Sequence, residues 1–129
     1  MKRILLIGAV VMLSGCSTVQ TWIPSFWDDN QSARITDIRL TVDRIDCDRP
    51  QLAQAIQLRD QLRWFELYST SKGALQRDVL ALVAPIQTTT EDWYKRSLDG
   101  QGTVGYCNIK KKILEQQTAR AAKGIMGRW

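Results

Sequence analysis

From residue 32 onward, apolar side chains recur every three or four positions, and that period points to helices. Ile35, Ile38, Val42 and Ile45 are spaced 3, 4 and 3, with Leu40 beside them. Leu52, Ala55, Ile56, Leu58, Leu62, Phe65 and Tyr68 make a second, broader stripe, widened by Trp64. Leu75, Val79, Leu82, Val83 and Ile86 make a third, and Leu114, Ala121, Ala122, Ile125, Met126 and Trp129 fall toward one side of the last segment. Alternation of the strand type is confined to residues 39–45, where the isoleucine and valine spacing favours a helix. The predicted class is all-α, a small helical hairpin or bundle.

Caps and breakers divide the pattern. Ser32 is a candidate N-cap for the first helix. Pro50 interrupts: either Asp48 caps a new helix with Pro50 in its first turn, or the helix continues with a kink. The second helix is predicted over residues 51–69, and Ser69, Thr70, Ser71, Lys72 and Gly73 read as a turn. Pro85 is expected to end or kink the third helix near Ala84. Thr88 and Glu91 have capping-box spacing, so a short helix over 91–98 is predicted, stopping at Gly100. A flexible loop at 100–105 leads to a last helix at 107–123, ended by Gly124.

The N-terminus carries the most specific motif. Met1, Lys2 and Arg3 form a basic start, and residues 4–13 are an apolar run of about ten residues, half of the ~20 that a membrane-spanning helix needs. The run ends in Leu13, Ser14, Gly15 and Cys16. These residues resemble the signal peptide and lipobox of bacterial lipoproteins, over residues 1–20 only. The resemblance implies cleavage before Cys16 and acylation of that cysteine, hence a near-permanent membrane anchor. Ser17, where an Asp would favour inner-membrane retention in such proteins, implies the outer membrane with the domain facing the periplasm. The alternative is an ordinary secretory signal with a chance cysteine. The domain reading is therefore a signal peptide at 1–15, an acylated aromatic tether at 16–31 and a helical periplasmic domain at 32–129. Trp22, Ile23, Phe26 and Trp27 make the tether greasy, suited either to lipid headgroups or to packing on the helical body.

With Cys16 acylated, Cys47 and Cys107 remain, and an oxidising periplasm allows them one intramolecular pairing. A Cys47–Cys107 disulfide closes a loop of about 60 residues, worth ~4 kcal/mol in the chain-entropy model. The alternative is two separately buried thiols. A short turn at 69–73 makes its flanking helices antiparallel neighbours, which brings Cys47 and Cys107 together at the open end of that hairpin.

Charge is uneven. Residues 16–107 carry ten basic and twelve acidic side chains, whereas residues 108–129 carry Lys110, Lys111, Lys112, Arg120, Lys123 and Arg128 against Glu115 alone. A basic amphipathic segment suits an anionic membrane surface, an acidic partner protein or, more blandly, a helix with solvated lysines. Nucleic acid is excluded as a partner by the export signal, despite a pI of about 9.4.

No catalytic residue is predicted. The chain has no histidine, which removes Ser-His-Asp and Cys-His chemistry and imidazole metal sites. No metal and no cofactor motif is present. The closest carboxylates are Asp28 with Asp29, Asp46 with Asp48, and Glu91 with Asp92, and Asp48 and Glu91 have capping roles open to them. Of the five tryptophans, Trp64 and Trp93 are expected in the core, and residues 64–68 are apolar nearly all round, a candidate interface patch. The functional expectation is a non-catalytic, lipid-anchored periplasmic module that binds another envelope component. Its size and helical character resemble phage outer-membrane spanin subunits, which meet an inner-membrane partner, or phage lipoproteins that block outer-membrane receptors. The alternative is a cell-wall module that binds peptidoglycan through Trp22, Trp27 and basic side chains.

Overall fold

A computed structural model describes residues 28–128. Among them are four α-helices, α1 (Asp29–Asp43), α2 (Gln51–Ser71), α3 (Arg77–Leu98) and α4 (Val104–Met126), with a short 3-10 turn at Ala74–Gln76. At 1.5 Å per residue the helices are about 22 to 35 Å long. Each helix packs on its chain neighbours and α1 also packs on α4, so the four close into a ring with α2 and α4 on one diagonal. This is a helical bundle, as the periodicity predicts, and no described helix is long and apolar enough to cross a membrane.

The stripes read from the sequence are the inner faces. Ile35, Ile38 and Val42 of α1, Ala55, Leu58, Leu62 and Phe65 of α2, Val79, Val83, Ile86 and Trp93 of α3, and Leu114, Ala121, Ala122 and Ile125 of α4 form one buried core. The Cys47–Cys107 disulfide is present, joining the α1–α2 loop to the first turn of α4 across 5.7 Å between Cα atoms. It lies at the end of the bundle opposite the α2–α3 turn. Gln51 reinforces that end: its Nε2 donates to the Gly102 carbonyl (2.9 Å), and its Oε1 accepts from Trp93 Nε1 (2.9 Å).

Several boundaries differ from the sequence expectation. Helix α1 starts at Asp29, three residues before the predicted cap: the Asp28 carboxylate accepts the Gln31 N–H at 2.8 Å, and Ser32 is buried inside the first turn. Pro50 breaks the chain rather than kinking it, and it stands at the N-cap of α2 itself, while Asp48 caps nothing and its N–H donates to Asp46 Oδ1. Pro85 neither ends nor divides α3, so the short helix at 91–98 is simply its second half. Proline removes the N–H that would bond the Ala81 carbonyl, but Ala81, Ala84 and Pro85 form an exposed ridge where water can serve that oxygen. The buried stripe from Val79 to Trp93 runs uninterrupted past it. Thr88, read as a cap, donates its hydroxyl back to the Ala84 carbonyl at 3.2 Å.

The last helix is longer at both ends than predicted. Thr103 caps its start by accepting the Tyr106 N–H, and Gly127 stands at its end. Gly124 is therefore not a terminator. A Cβ there would stand 2.5 Å from Leu82 Cδ1, so glycine serves the close approach of α3 and α4. In the α2–α3 turn the chain reverses at Gly73, whose φ of 100° lies in the left-handed region that glycine tolerates.

Candidate interaction surface

Of the residues singled out as site candidates, Cys16, Trp22 and Trp27 lie outside the described residues. The six cations of the C-terminal segment divide into two groups. Lys111 Nζ donates to the carbonyls of Asp43 (3.0 Å) and Ile45 (2.9 Å), capping the C-terminal end of α1 where the helix dipole is negative. Lys110 faces Asp92 at 3.7 Å and lies over the Tyr106 ring. Arg128 bridges Asp78 (3.3 Å) and the Gln76 Oε1 (3.2 Å). These three are engaged by groups of the bundle itself.

The other three form a surface. Lys112, Arg120 and Lys123 are exposed and have no ion-pair partner among the described residues. Their spacing of 8 and 3 residues puts them on one line along α4, with Ile109 and Gln116 on the same ridge. Ile109 is 61% exposed. The inward residues Cys107, Leu114, Thr118, Ala121 and Ile125 occupy the opposite side of the same helix. The ridge is thus fixed by the core pattern of α4: the helix cannot bury its stripe without turning this line to solvent. From Lys112 to Lys123 it extends about 16 Å.

Acidic groups elsewhere are mostly spoken for. Glu91 pairs with Arg59 at 2.8 Å, Asp92 with Lys110, Asp46 with Arg49 at 3.3 Å, and Glu66 with Arg63 at 2.9 Å. Asp28 pairs with Lys72 and accepts from the Tyr68 hydroxyl as well as from Gln31. Burial works against the Asp28 carboxylate, but the bond from Lys72 and that from the Gln31 N–H outweigh it, so its pKa lies below the usual value. The Asp28 hydrogen bond raises the pKa of Lys72 in return. Glu91 and Asp92 border the same open surface depression with Thr88 and Lys95, where Glu91 is held by Arg59 and Asp92 by Lys110. The groove between α2 and α3, about 350 Å³, is lined by Arg59, Asp60, Arg63, Glu66 and Glu91, most of them paired with one another. Among the described residues no group of three His, Cys, Asp or Glu side chains could hold a metal.

Trp93 is buried in the core, as expected. Trp64 is not. It stacks on Tyr68 with ring centroids 5.0 Å apart, and the Arg34 guanidinium covers its face at 4.3 Å. The stripe of α2 is already filled by Leu58, Leu62, Phe65 and Ser69, so Trp64 falls on the flank toward α1. In the apolar segment at 64–68, Phe65 is buried and Leu67 is 55% exposed.

Sequence reasoning missed a buried polar cluster at the end of the bundle where Asp28 and Arg128 lie. Gln31 Nε2 donates to Ser69 Oγ (3.1 Å) and to Gln76 Oε1 (2.9 Å). The three residues are almost wholly buried, and the Gln76 Nε2 has no partner among the described residues. A signal was available: Gln31, Ser69 and Gln76 each continue a core stripe by one more step of three or four residues. Comparison with known proteins adds no assignment: no family model, no curated protein and no solved structure matches this chain.

Proposed function

We propose that this chain is a lipid-anchored envelope protein with no catalytic role, whose helical domain binds another envelope component through the outer ridge of α4. Three acyl chains on Cys16 would hold it at the outer membrane, facing the periplasm. The observation that carries the reading is the ridge of Lys112, Arg120 and Lys123, left unpartnered on a surface where the acidic groups are largely neutralised by neighbours. Such a line of cations matches an acidic stretch on a partner protein and speeds its encounter. The absence of histidine and the engagement of the carboxylates support a binding role over a hydrolytic one.

The test is in-cell crosslinking of the full chain in a Gram-negative envelope, followed by capture and mass spectrometry. The wild-type chain is expected to capture one dominant protein. The triple variant Lys112→Glu, Arg120→Glu, Lys123→Glu should lose it while keeping its thermal unfolding profile. An inner-membrane partner identifies an envelope bridge of the spanin kind, and an outer-membrane porin identifies a receptor blocker. Equal capture by the triple variant, or recovery of peptidoglycan fragments without protein, overturns the assignment of the ridge.

A further inference from the structure

The outer face of α2 carries a second pattern, independent of the α4 ridge and on the opposite side of the bundle. Ala53, Ile56, Asp60, Arg63, Leu67 and Thr70 are all exposed, and their spacing is 3, 4, 3, 4 and 3. That is a heptad seam of two interleaved positions, with Ala53, Asp60 and Leu67 at one and Ile56, Arg63 and Thr70 at the other. It lies opposite the buried set Ala55, Leu58, Leu62, Phe65 and Ser69, so α2 has two seams of which the bundle covers one. Ile56 is 41% exposed, and Leu67 more so.

The order of residues along the open seam is self-complementary. When a second α2 lies antiparallel, with the two-fold axis between residues 61 and 62, Ile56 meets Leu67 of the other copy. Asp60 meets Arg63, and Ala53 meets Thr70. Each pair is then formed twice, as an isologous interface requires. A parallel arrangement instead sets Asp60 on Asp60 and Arg63 on Arg63. The charges therefore select one orientation, the use of a polar layer in a helical seam that sets register. Among the described residues Asp60 has no ion-pair partner, and the ion pair of Arg63 is with Glu66, one turn along the same helix.

We infer that a second copy of this chain docks on α2, forming an antiparallel homodimer centred on reciprocal Asp60–Arg63 pairs between Ile56–Leu67 layers. One helix pair from residue 53 to residue 70 spans about 26 Å, a small interface, so the dimer belongs to the weak, reversible class. Nothing in it occupies the α4 ridge, which remains open to another partner.

The experiment places a photo-crosslinking residue, p-benzoylphenylalanine, at position 67 of the full chain, expressed with two distinguishable tags and irradiated in cells. The expected product has twice the chain mass, contains both tags and joins position 67 to a peptide holding Ile56. Asp60→Arg alone, or Arg63→Asp alone, opposes like charges in both halves of the dimer and should lower the yield about tenfold. The double variant Asp60→Arg, Arg63→Asp restores the pairing and should restore the yield. Both positions are exposed, so unchanged thermal unfolding will show that the variants are folded. Crosslinking to a different protein, no product above the chain mass, or yields indifferent to the single reversals overturns the dimer. These outcomes are separate from the ridge test, because the triple variant of α4 leaves the α2 seam intact.

Discussion

Opening the Cys47–Cys107 crosslink should remove about 4 kcal/mol of stability, because the unfolded chain regains the freedom of a loop of about 60 residues. That is a large share of the ~5–15 kcal/mol by which a domain of this size is stable. The structure separates this effect from packing. Both cysteines are buried, Cys107 completely, so replacing them by alanine adds a cavity cost to the loss of the crosslink. Reduction of the wild-type chain keeps both sulfur atoms in place and isolates the chain-entropy part. The assay is urea unfolding followed by circular dichroism, with Cys16→Ala in all samples to remove the third thiol. With a slope of about 1–2 kcal/mol per M, reduction should lower the midpoint by about 2–4 M. The Cys47→Ala, Cys107→Ala variant should fall somewhat lower still. A midpoint shift under about 0.5 M on reduction would refute the reasoning. It would mean that the α1–α2 loop and α4 stay close in the unfolded ensemble without the bond.

Two further outcomes follow from single contacts. Gly124→Ala adds helix propensity worth about 1 kcal/mol but pushes its Cβ into Leu82, so in the native background the change should be near neutral by thermal unfolding. In a Leu82→Ala background the clash is gone, and the same substitution should stabilise by about 1 kcal/mol. Asp28→Asn keeps a capping side chain but loses the charge that faces Lys72, so wild type should exceed the variant by about 1 kcal/mol at neutral pH. Because the folded Asp28 carboxyl titrates below its ordinary value of 3.8, that advantage is complete above this value. It should disappear as the pH falls through the lower folded value, which unfolding measured across the acid range will show. A gap that persists in strong acid would place the effect in packing rather than charge. The Lys72 contribution has the opposite sense, present below 10.5 and lost as the pH rises beyond it.

The sequence disclosed the inner faces and the crosslink, because both depend on simple quantities: a period of 3.6 and a count of cysteines. It was less informative where one residue type has two uses. Gly124 reads as a helix stop, but the nearness of Leu82 is a tertiary fact that no local pattern contains. Pro85 reads as a break, yet a proline on the solvent side of a helix with a continuous buried stripe costs little enough to be overridden by packing. Trp64 reads as core because it widens the apolar stripe of α2, but that stripe is already filled by Leu58, Leu62, Phe65 and Ser69. The six cations looked alike in sequence, and only the placement of the α1 carbonyls, Asp92 and Asp78 tells the structural ones from the free ones.

The most direct measurement is the mass of the N-terminal peptide of the chain isolated from the membranes of a Gram-negative host. A lipid-anchored protein yields a peptide that begins at Cys16, with a diacylglyceryl group on its sulfur and an acyl group on its amine. A peptide beginning at Met1, or a Cys16 with a free thiol in a chain cut elsewhere, would contradict the anchor. The ridge of α4 would then have to find its partner without a membrane to hold it.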